Sequence, residues 1–74
     1  MDSYEIGSIL GRAHAGARKK ANKQFSASKA ESAAKSYFEA ASLAIINLSK
    51  QDFVDGFCDG FEASFKGQLA KATE

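Results

Sequence analysis

Apolar residues recur along the chain at spacings of three and four, the period of an α-helix that buries one side. Three helix-start signatures divide this pattern. Each one pairs a short polar or acidic residue with an acid three positions later: Asp2 with Glu5, Ser28 with Glu31, and Ser49 with Asp52. The sequence therefore predicts three helices, over about 3–24, 28–48 and 50–71.

The apolar sides of the three predicted helices differ in character. In the first helix this side holds aliphatic residues and alanines: Ile6, Ile9, Leu10, Ala13, Ala17 and Ala21. In the second it mixes alanines with larger side chains: Ala30, Ala34, Tyr37, Phe38, Ala41, Ala44, Ile45 and Leu48. In the third it is mostly aromatic: Phe53, Val54, Phe57, Cys58, Phe61, Phe65 and Leu69. Each set faces one way, so we expect the helices to share one core.

Small residues form a strip on two of the predicted helices. Gly7, Gly11 and Ala15 follow each other at intervals of four in the first helix, and the third helix carries a similar strip of Gly56, Gly60 and Ala63. Each helical glycine costs about 1 kcal/mol relative to alanine, so a benefit must offset it. Small residues at this spacing let helix backbones or bulky aromatic rings come close. The strips therefore predict tight packing.

Length and composition restrict the fold further. The chain has 74 residues, no proline and fourteen alanines, which favours helix throughout a single domain over 1–74. One cysteine and one histidine build neither an internal disulfide nor a structural zinc site. The fold class is therefore all-α, a small three-helix bundle. The alternative is a helical hairpin completed by a homodimer, because a partner subunit is the remaining aid to a chain this short.

No pattern of residues indicates catalysis. The single histidine, His14, and the single cysteine, Cys58, fall within apolar arcs of different helices, where a free cysteine acts as a small hydrophobe. The acids of the third helix lack the histidines that di-metal bundles use. We therefore predict no enzyme activity, no catalytic residue, no metal and no cofactor. The chain shows neither a leader segment nor a membrane span, so we expect a cytoplasmic protein.

Large apolar residues exceed what a thin bundle is expected to bury. The phenylalanines of the third helix sweep a wide arc, and two aliphatic residues of the second helix point away from its apolar side. Exposed apolar patches on small proteins usually mark interfaces. We predict a protein interface at Leu43, Ile46, Phe57, Phe61 and Phe65. Its acidic rim would consist of Asp55, Asp59 and Glu62.

Charge is distributed unevenly along the chain. The first thirty residues hold six cations against two acids, whereas the whole chain has a net charge of +1. This asymmetry supports an alternative function, a nucleic-acid-associated accessory protein that uses the basic face of the first helix: Arg12, Arg18, Lys19, Lys20 and Lys23. The isoelectric point near 7.9 is low for such a protein, and internal pairing with acids of the third helix is the simpler explanation.

The favoured function is therefore a non-enzymatic protein-binding module. We expect it to be homodimeric and to act by occluding a surface of an unidentified partner protein. Small helical proteins without motifs are a common format among phage or mobile-element inhibitors of host machinery. This is an analogy of format alone, and it indicates a kind of function without naming a partner.

Overall fold

The computed structural model contains three helices and confirms a small all-α three-helix bundle. It describes the backbone of residues 2–73 and the side chains of residues 2–66. The helices are α1 (Ser3–Lys20), α2 (Ala27–Ser42) and α3 (Lys50–Thr73). Because α1 packs on α3 of the same chain, the bundle does not need a second subunit to complete it. The prediction that Leu69 belongs to the apolar side of α3 lies outside the described side chains.

Two of the three predicted helix starts are confirmed by hydrogen bonds. The Asp2 carboxylate accepts the backbone N–H of Glu5 at 2.8 Å, and the Ser49 hydroxyl accepts that of Asp52 at 3.4 Å. Both interactions satisfy an N–H group that the first turn of a helix leaves without a partner.

The start of α2 differs from the prediction by one residue. Ser26 is the cap, in place of Ser28, because its backbone is extended and its hydroxyl accepts the N–H of Lys29 at 3.4 Å. Ser28 already lies inside the helix and only approaches the Ser26 hydroxyl at 3.2 Å. The spacing of Ser28 to the acid Glu31 therefore selected a residue two positions after the actual cap.

Helix α1 ends at Lys20, earlier than the predicted 24, because Asn22 adopts a left-handed conformation with φ of 60°. The N–H of Lys23 then donates to the carbonyl of Arg18, and the N–H of Asn22 donates to that of Lys19. This pair of hydrogen bonds is the Schellman motif, in which asparagine is the commonest substitute for glycine.

Helix α2 ends at Ser42, six residues before the predicted end at 48. The chain continues through a turn that includes Asn47, whose φ of 64° is also left-handed. Residues 43–48, which the sequence predicted as the end of this helix, therefore lie in a loop of residues 43–49. Since periodicity continued through this segment, only the asparagine signalled that the helix stops.

The glycines of α1 lie directly on the backbone of α3. A Cβ atom at Gly7 would overlap with the carbonyl group of Phe53, and one at Gly11 would overlap with that of Phe57. The order of these contacts shows that the two helices run parallel. Gly16 has open space around it and takes no part in the contact. Ala15, which continues the strip, is fully buried.

The contact is reciprocal, because glycines of α3 lie on the backbone of α1. A Cβ atom at Gly56 would overlap with the carbonyl group of Tyr4, and one at Gly60 would overlap with that of Ser8. The predicted tight packing at the strips is thus confirmed for four glycines, and the structure adds that the two strips face each other. Ala63 is exposed and lies outside this contact. Because none of these four glycines has a Cβ atom, the backbones of α1 and α3 can come into direct contact.

The phenylalanine row of α3 fills the space that α1 and α2 enclose. Phe53, Phe57 and Phe61 are completely buried, and Phe38 and Tyr37 of α2 pack against the first two of them. These three rings, together with three alanines, form the core: Ala15, Ala30 and Ala34.

The buried side of α1 differs from the predicted one. Its buried residues are Gly7, Gly11 and Ala15, with Ile6 and Leu10 packed beside them. The predicted members Ala13, Ala17 and Ala21 are exposed, and half of the Ile9 side chain is exposed. The aliphatic pattern alone placed the buried side incorrectly, because close backbone contact directs the glycines inward.

Candidate functional site

Three apolar side chains protrude from the loop between α2 and α3. Leu43 is 91% exposed, Ile46 is 87% exposed and Ile45 is 38% exposed. We call these three residues the apolar loop. Each side chain of this size loses about 1.5–3 kcal/mol of favourable burial when it remains in water. The sequence prediction that Leu43 and Ile46 point away from the core agrees with their exposure.

The apolar loop is held firmly at its C-terminal side. Leu48 packs against the core, and the N–H of Ser49 donates to the hydroxyl of Ser3 at 2.8 Å. On its N-terminal side, the N–H of Ile45 still donates to the carbonyl of Ala41 at 2.9 Å. The loop therefore presents its side chains from a backbone that both neighbouring helices restrain.

The phenylalanines predicted for the interface are not part of the exposed apolar loop, and the sequence prediction is corrected here. Phe57 and Phe61 have no accessible surface, and Phe65 is half-buried against Phe61 with ring centroids 5.1 Å apart. The two buried rings cannot contact a partner while the bundle is folded, since α1 and α2 cover them. The interface prediction is therefore wrong for Phe57 and Phe61, because the glycine contacts let one thin bundle enclose them.

The predicted rim acids lie along α3 and make contacts with their neighbours. The carboxylate of Asp59 accepts a hydrogen bond from the Tyr4 hydroxyl at 2.6 Å, and that of Asp55 accepts one from the Gln51 amide at 3.0 Å. Glu62 forms an ion pair with Lys66 at 2.6 Å. Because a helix rises 1.5 Å per residue, Glu62 lies about 18 Å along α3 from its start. Glu62 is thus remote from the apolar loop.

The hydrogen bond to Asp59 changes the ionisation of Tyr4. It raises the pKa of Tyr4 above its usual 10.0, because deprotonation would place two negative charges side by side; slight burial and the charges of Asp59 and Asp55 act in the same direction. The phenol therefore stays protonated and links the first turn of α1 to the middle of α3.

Two of the basic residues predicted for nucleic-acid binding make contacts within the chain. The Arg18 guanidinium donates to the carbonyl of Gln24 at 3.1 Å and lies 5.9 Å from the centre of the Phe61 ring. The Lys19 ammonium donates to the carbonyl and hydroxyl of Ser64 at 3.2 and 3.1 Å. These contacts leave three exposed members of the basic set: Arg12, Lys20 and Lys23. The basic face available to nucleic acid is thus reduced.

Within residues 2–66, no ion pair joins α1 to α3. Among the side chains of residues 2–66, the two ion pairs lie within single helices, Glu31 with Lys35 and Glu62 with Lys66. The basic side of α1 contacts α3 through a serine and aromatic rings instead.

His14 and Cys58 occupy different environments. The His14 ring packs against Phe57 and Phe61, and its Nδ1 lies 3.4 Å from the Tyr37 hydroxyl. Burial, and secondarily the charge of Arg18, lowers the pKa of His14 below 6.5. Cys58 faces a groove between α2 and α3 of about 660 Å³, where burial and neighbouring acids raise the pKa of its thiol. A neutral thiol in this setting is a poor nucleophile.

The described part of the chain contains neither a cluster of metal-ligand side chains nor a membrane-spanning helix. Within residues 2–66, no group of histidine, cysteine and carboxylate side chains is arranged to hold a metal ion. Over the same residues, no helix combines the length and the apolar character needed to cross a bilayer.

The end of the bundle that carries the apolar loop is acidic. The first turns of α1 and α3 and the last turn of α2 meet there, since Ser49 is hydrogen-bonded to Ser3. These three turns, together with the cap residue of α1, contain one basic side chain, Lys50. They contain four exposed acids: Asp2, Glu5, Glu39 and Asp52. The end of the bundle that carries the apolar loop therefore has an excess of acids over bases that the sequence prediction did not identify.

Comparison with known proteins does not assign this site. No model of a protein family, no curated protein and no solved structure matches the chain. Its function must therefore be argued from its own residues and contacts.

Proposed function

We propose that the chain is a non-enzymatic protein-binding module that docks on a partner protein through the apolar loop. The observation that supports this proposal is the exposure of Leu43 and Ile46, at 91% and 87%. Single exposed apolar residues are common on protein surfaces, but here three of them lie within four positions of one loop and offer an apolar patch. Burial of that patch under a partner would recover the hydrophobic free energy that folding leaves unused.

Restraint of the loop also favours binding. Association costs free energy when flexible loops and side chains become ordered, so a loop already held in place loses less. The Ser49–Ser3 hydrogen bond and the packing of Leu48 restrain the backbone of the apolar loop before any partner arrives. The acids at the same end of the bundle would select a partner whose docking surface is positively charged.

Self-association and partner occlusion both belong to this proposal. A chain of 74 residues buries only about 60% of the surface of its unfolded form, so covering the loop would add to a small core. The inhibitor format of phage or mobile-element proteins suits such a module. A cytoplasmic location suits its single unpaired cysteine, Cys58.

Affinity capture from a lysate of the organism that encodes the protein tests the proposal. The matched baits are the wild type, the double variant Leu43→Ser/Ile46→Ser, and Ile9→Ser. Ile9 is a suitable control because it is half exposed on α1, away from the apolar loop. We expect a protein that the wild type and Ile9→Ser capture and the double variant does not.

The captured protein must then bind the purified wild type and Ile9→Ser, and it must fail to bind the purified double variant. Thermal unfolding followed by circular dichroism should show that the double variant is folded, since its substitutions lie at exposed positions. Equal binding by all three baits would exclude the apolar loop as the docking site.

A further inference from the structure

The two ends of the bundle carry opposite charges. The end with the apolar loop is acidic. At the other end lie the last turn of α1, the loop that follows it and the first turn of α2. Residues 18–30 form this end, and they contain no acid and five cations: Arg18, Lys19, Lys20, Lys23 and Lys29. Two acids adjoin this end, Glu31 of α2 and Glu62 of α3, and each pairs with a lysine one turn later in its own helix, Lys35 and Lys66. We call residues 18–30 the basic end.

Helix dipoles do not account for this arrangement. Acids in the first turn and bases in the last turn complement the dipole of a helix, and α1 follows that rule. Helix α2 runs in the opposite direction and violates it. Its first turn contains Lys29 and no acid, and its last turn contains Glu39 and no base. The charges in the first and last turns of α2 therefore match the ends of the molecule at which those turns lie, and they oppose the dipole of the helix.

The basic end also has an exposed apolar side chain. Phe25 packs against Phe61 and Phe65 with ring centroids 5.7 and 5.8 Å apart, yet 42% of its surface is exposed. It lies two residues from Lys23, which is exposed. The basic end thus combines an aromatic surface with cations, which complements aliphatic side chains at an end with an excess of acids.

We infer that the chain associates with itself head to tail, with the apolar loop of one copy seated on the basic end of the next. The occupant of the apolar loop is thus a second copy, chosen by charge complementarity between the two ends. This inference rests on the proposed function, because it uses the same loop. The contact is heterologous, so it leaves one free end on each side and permits assemblies larger than a dimer.

Sedimentation equilibrium of the purified full chain tests this arrangement. At low ionic strength, about 0.01 M, exposed charges act over about 30 Å, whereas at about 1 M they act over about 3 Å. We expect the average mass to rise with concentration at low salt, beyond that of a dimer, and to fall at high salt.

Two variants each disable one of the two contact surfaces. The head variant, Leu43→Ser/Ile46→Ser, loses the apolar loop, and the tail variant, Lys20→Glu/Lys23→Glu, loses the basic end. Lys20 and Lys23 are chosen because Arg18 and Lys19 make contacts within the chain, so their loss would disturb the fold. We expect each variant alone to be monomeric. A mixture of the two retains one intact head and one intact tail, so it should form a 1:1 dimer and nothing larger.

Three results would overturn the inference. The first is a wild type that stays monomeric at low salt. The second is a tail variant that associates as strongly as the wild type, which would indicate a symmetric contact between apolar loops. The third is a mixture of variants that remains monomeric. None of these results decides whether the apolar loop captures a different protein, so the inference and the proposed function can fail separately.

Discussion

Gly7 of α1 lies against the backbone carbonyl of Phe53 of α3, with no room between them for a Cβ atom. This contact and its three glycine counterparts explain how a thin bundle buries three phenylalanines. Because the two backbones meet directly, the rings beside them are covered by α1 on one side and α2 on the other. Packing of the glycines therefore determines which apolar residues remain for a partner.

Substitution of Gly7 or Gly11 by alanine should destabilise the fold strongly. The new methyl group would overlap with a carbonyl of α3, and a helix backbone cannot shift as readily as a side chain. We expect a loss of about 3 kcal/mol, toward the upper part of the range for overpacked cores. Urea unfolding followed by circular dichroism measures this loss.

Gly16→Ala provides the matched control for these variants. Gly16 lies in the same helix, and a Cβ atom added to it would meet nothing within 4 Å, so only helix propensity changes. We expect a gain of about 1 kcal/mol in the free energy of unfolding. Equal effects at Gly7 and Gly16 would contradict the close contact between α1 and α3.

Truncation should lower the free energy of unfolding far more at a core phenylalanine than at a residue of the apolar loop. Phe61 is fully buried, so Phe61→Ala should cost about 3–5 kcal/mol, and Phe61→Leu gives a smaller loss should the alanine variant not fold. Leu43→Ala should change stability by less than about 0.5 kcal/mol, because its side chain is exposed. Comparable losses at both positions, measured by urea unfolding, would place Leu43 in the core.

Ionisation of Tyr4 should report its hydrogen bond to Asp59. In a Tyr37→Phe background, the absorbance of phenolate follows Tyr4 alone, since the chain has two tyrosines. We expect a midpoint above 10.0, and Asp59→Asn should lower it by removing the carboxylate that accepts the bond. Because the folded pKa is raised, this contribution to stability is present below pH 10.0 and is lost as the pH rises through the folded pKa. An unchanged midpoint in Asp59→Asn would exclude the bond.

Protonation of His14 should weaken the fold. Burial lowers its folded pKa below the unfolded 6.5, so the unfolded chain binds the proton more readily. The free energy of unfolding should therefore decrease as the pH falls from 6.5 through the lowered folded pKa. Proton NMR of the His14 ring should give a midpoint below 6.5, and Arg18→Gln should raise it by removing a nearby positive charge. A midpoint at or above 6.5 would contradict burial of the ring.

Local features of the chain were predictable because they depend on neighbouring residues. The caps at Asp2 and Ser49 follow from short-range spacing, and the structure contains both hydrogen bonds. The glycine strips were recognisable because their spacing repeats the helix turn. Asn22 and Asn47 are signals that were present and not used, since a left-handed residue ends a helix whatever the apolar pattern beyond it.

The candidate site was predicted only in part. Leu43 and Ile46 were expected at the surface from their angle on a continuous helix, but they are exposed because α2 has already ended at Ser42. The acids that accompany them are Asp2, Glu5, Glu39 and Asp52, which come from three separated segments. No local pattern brings those segments together, so the predicted rim along α3 was a different set of residues.

By itself, the sequence determined the number of helices, the starts of two of them and the tight packing at the glycine strips of α1 and α3. These properties arise from backbone hydrogen bonding and side-chain size within a few turns. The tertiary structure alone decided that Phe57 and Phe61 are core, that the apolar loop remains uncovered, and that acids and bases separate to opposite ends. Burial and electrostatic surroundings depend on which distant segments meet, and periodicity along one helix carries no information about its neighbours.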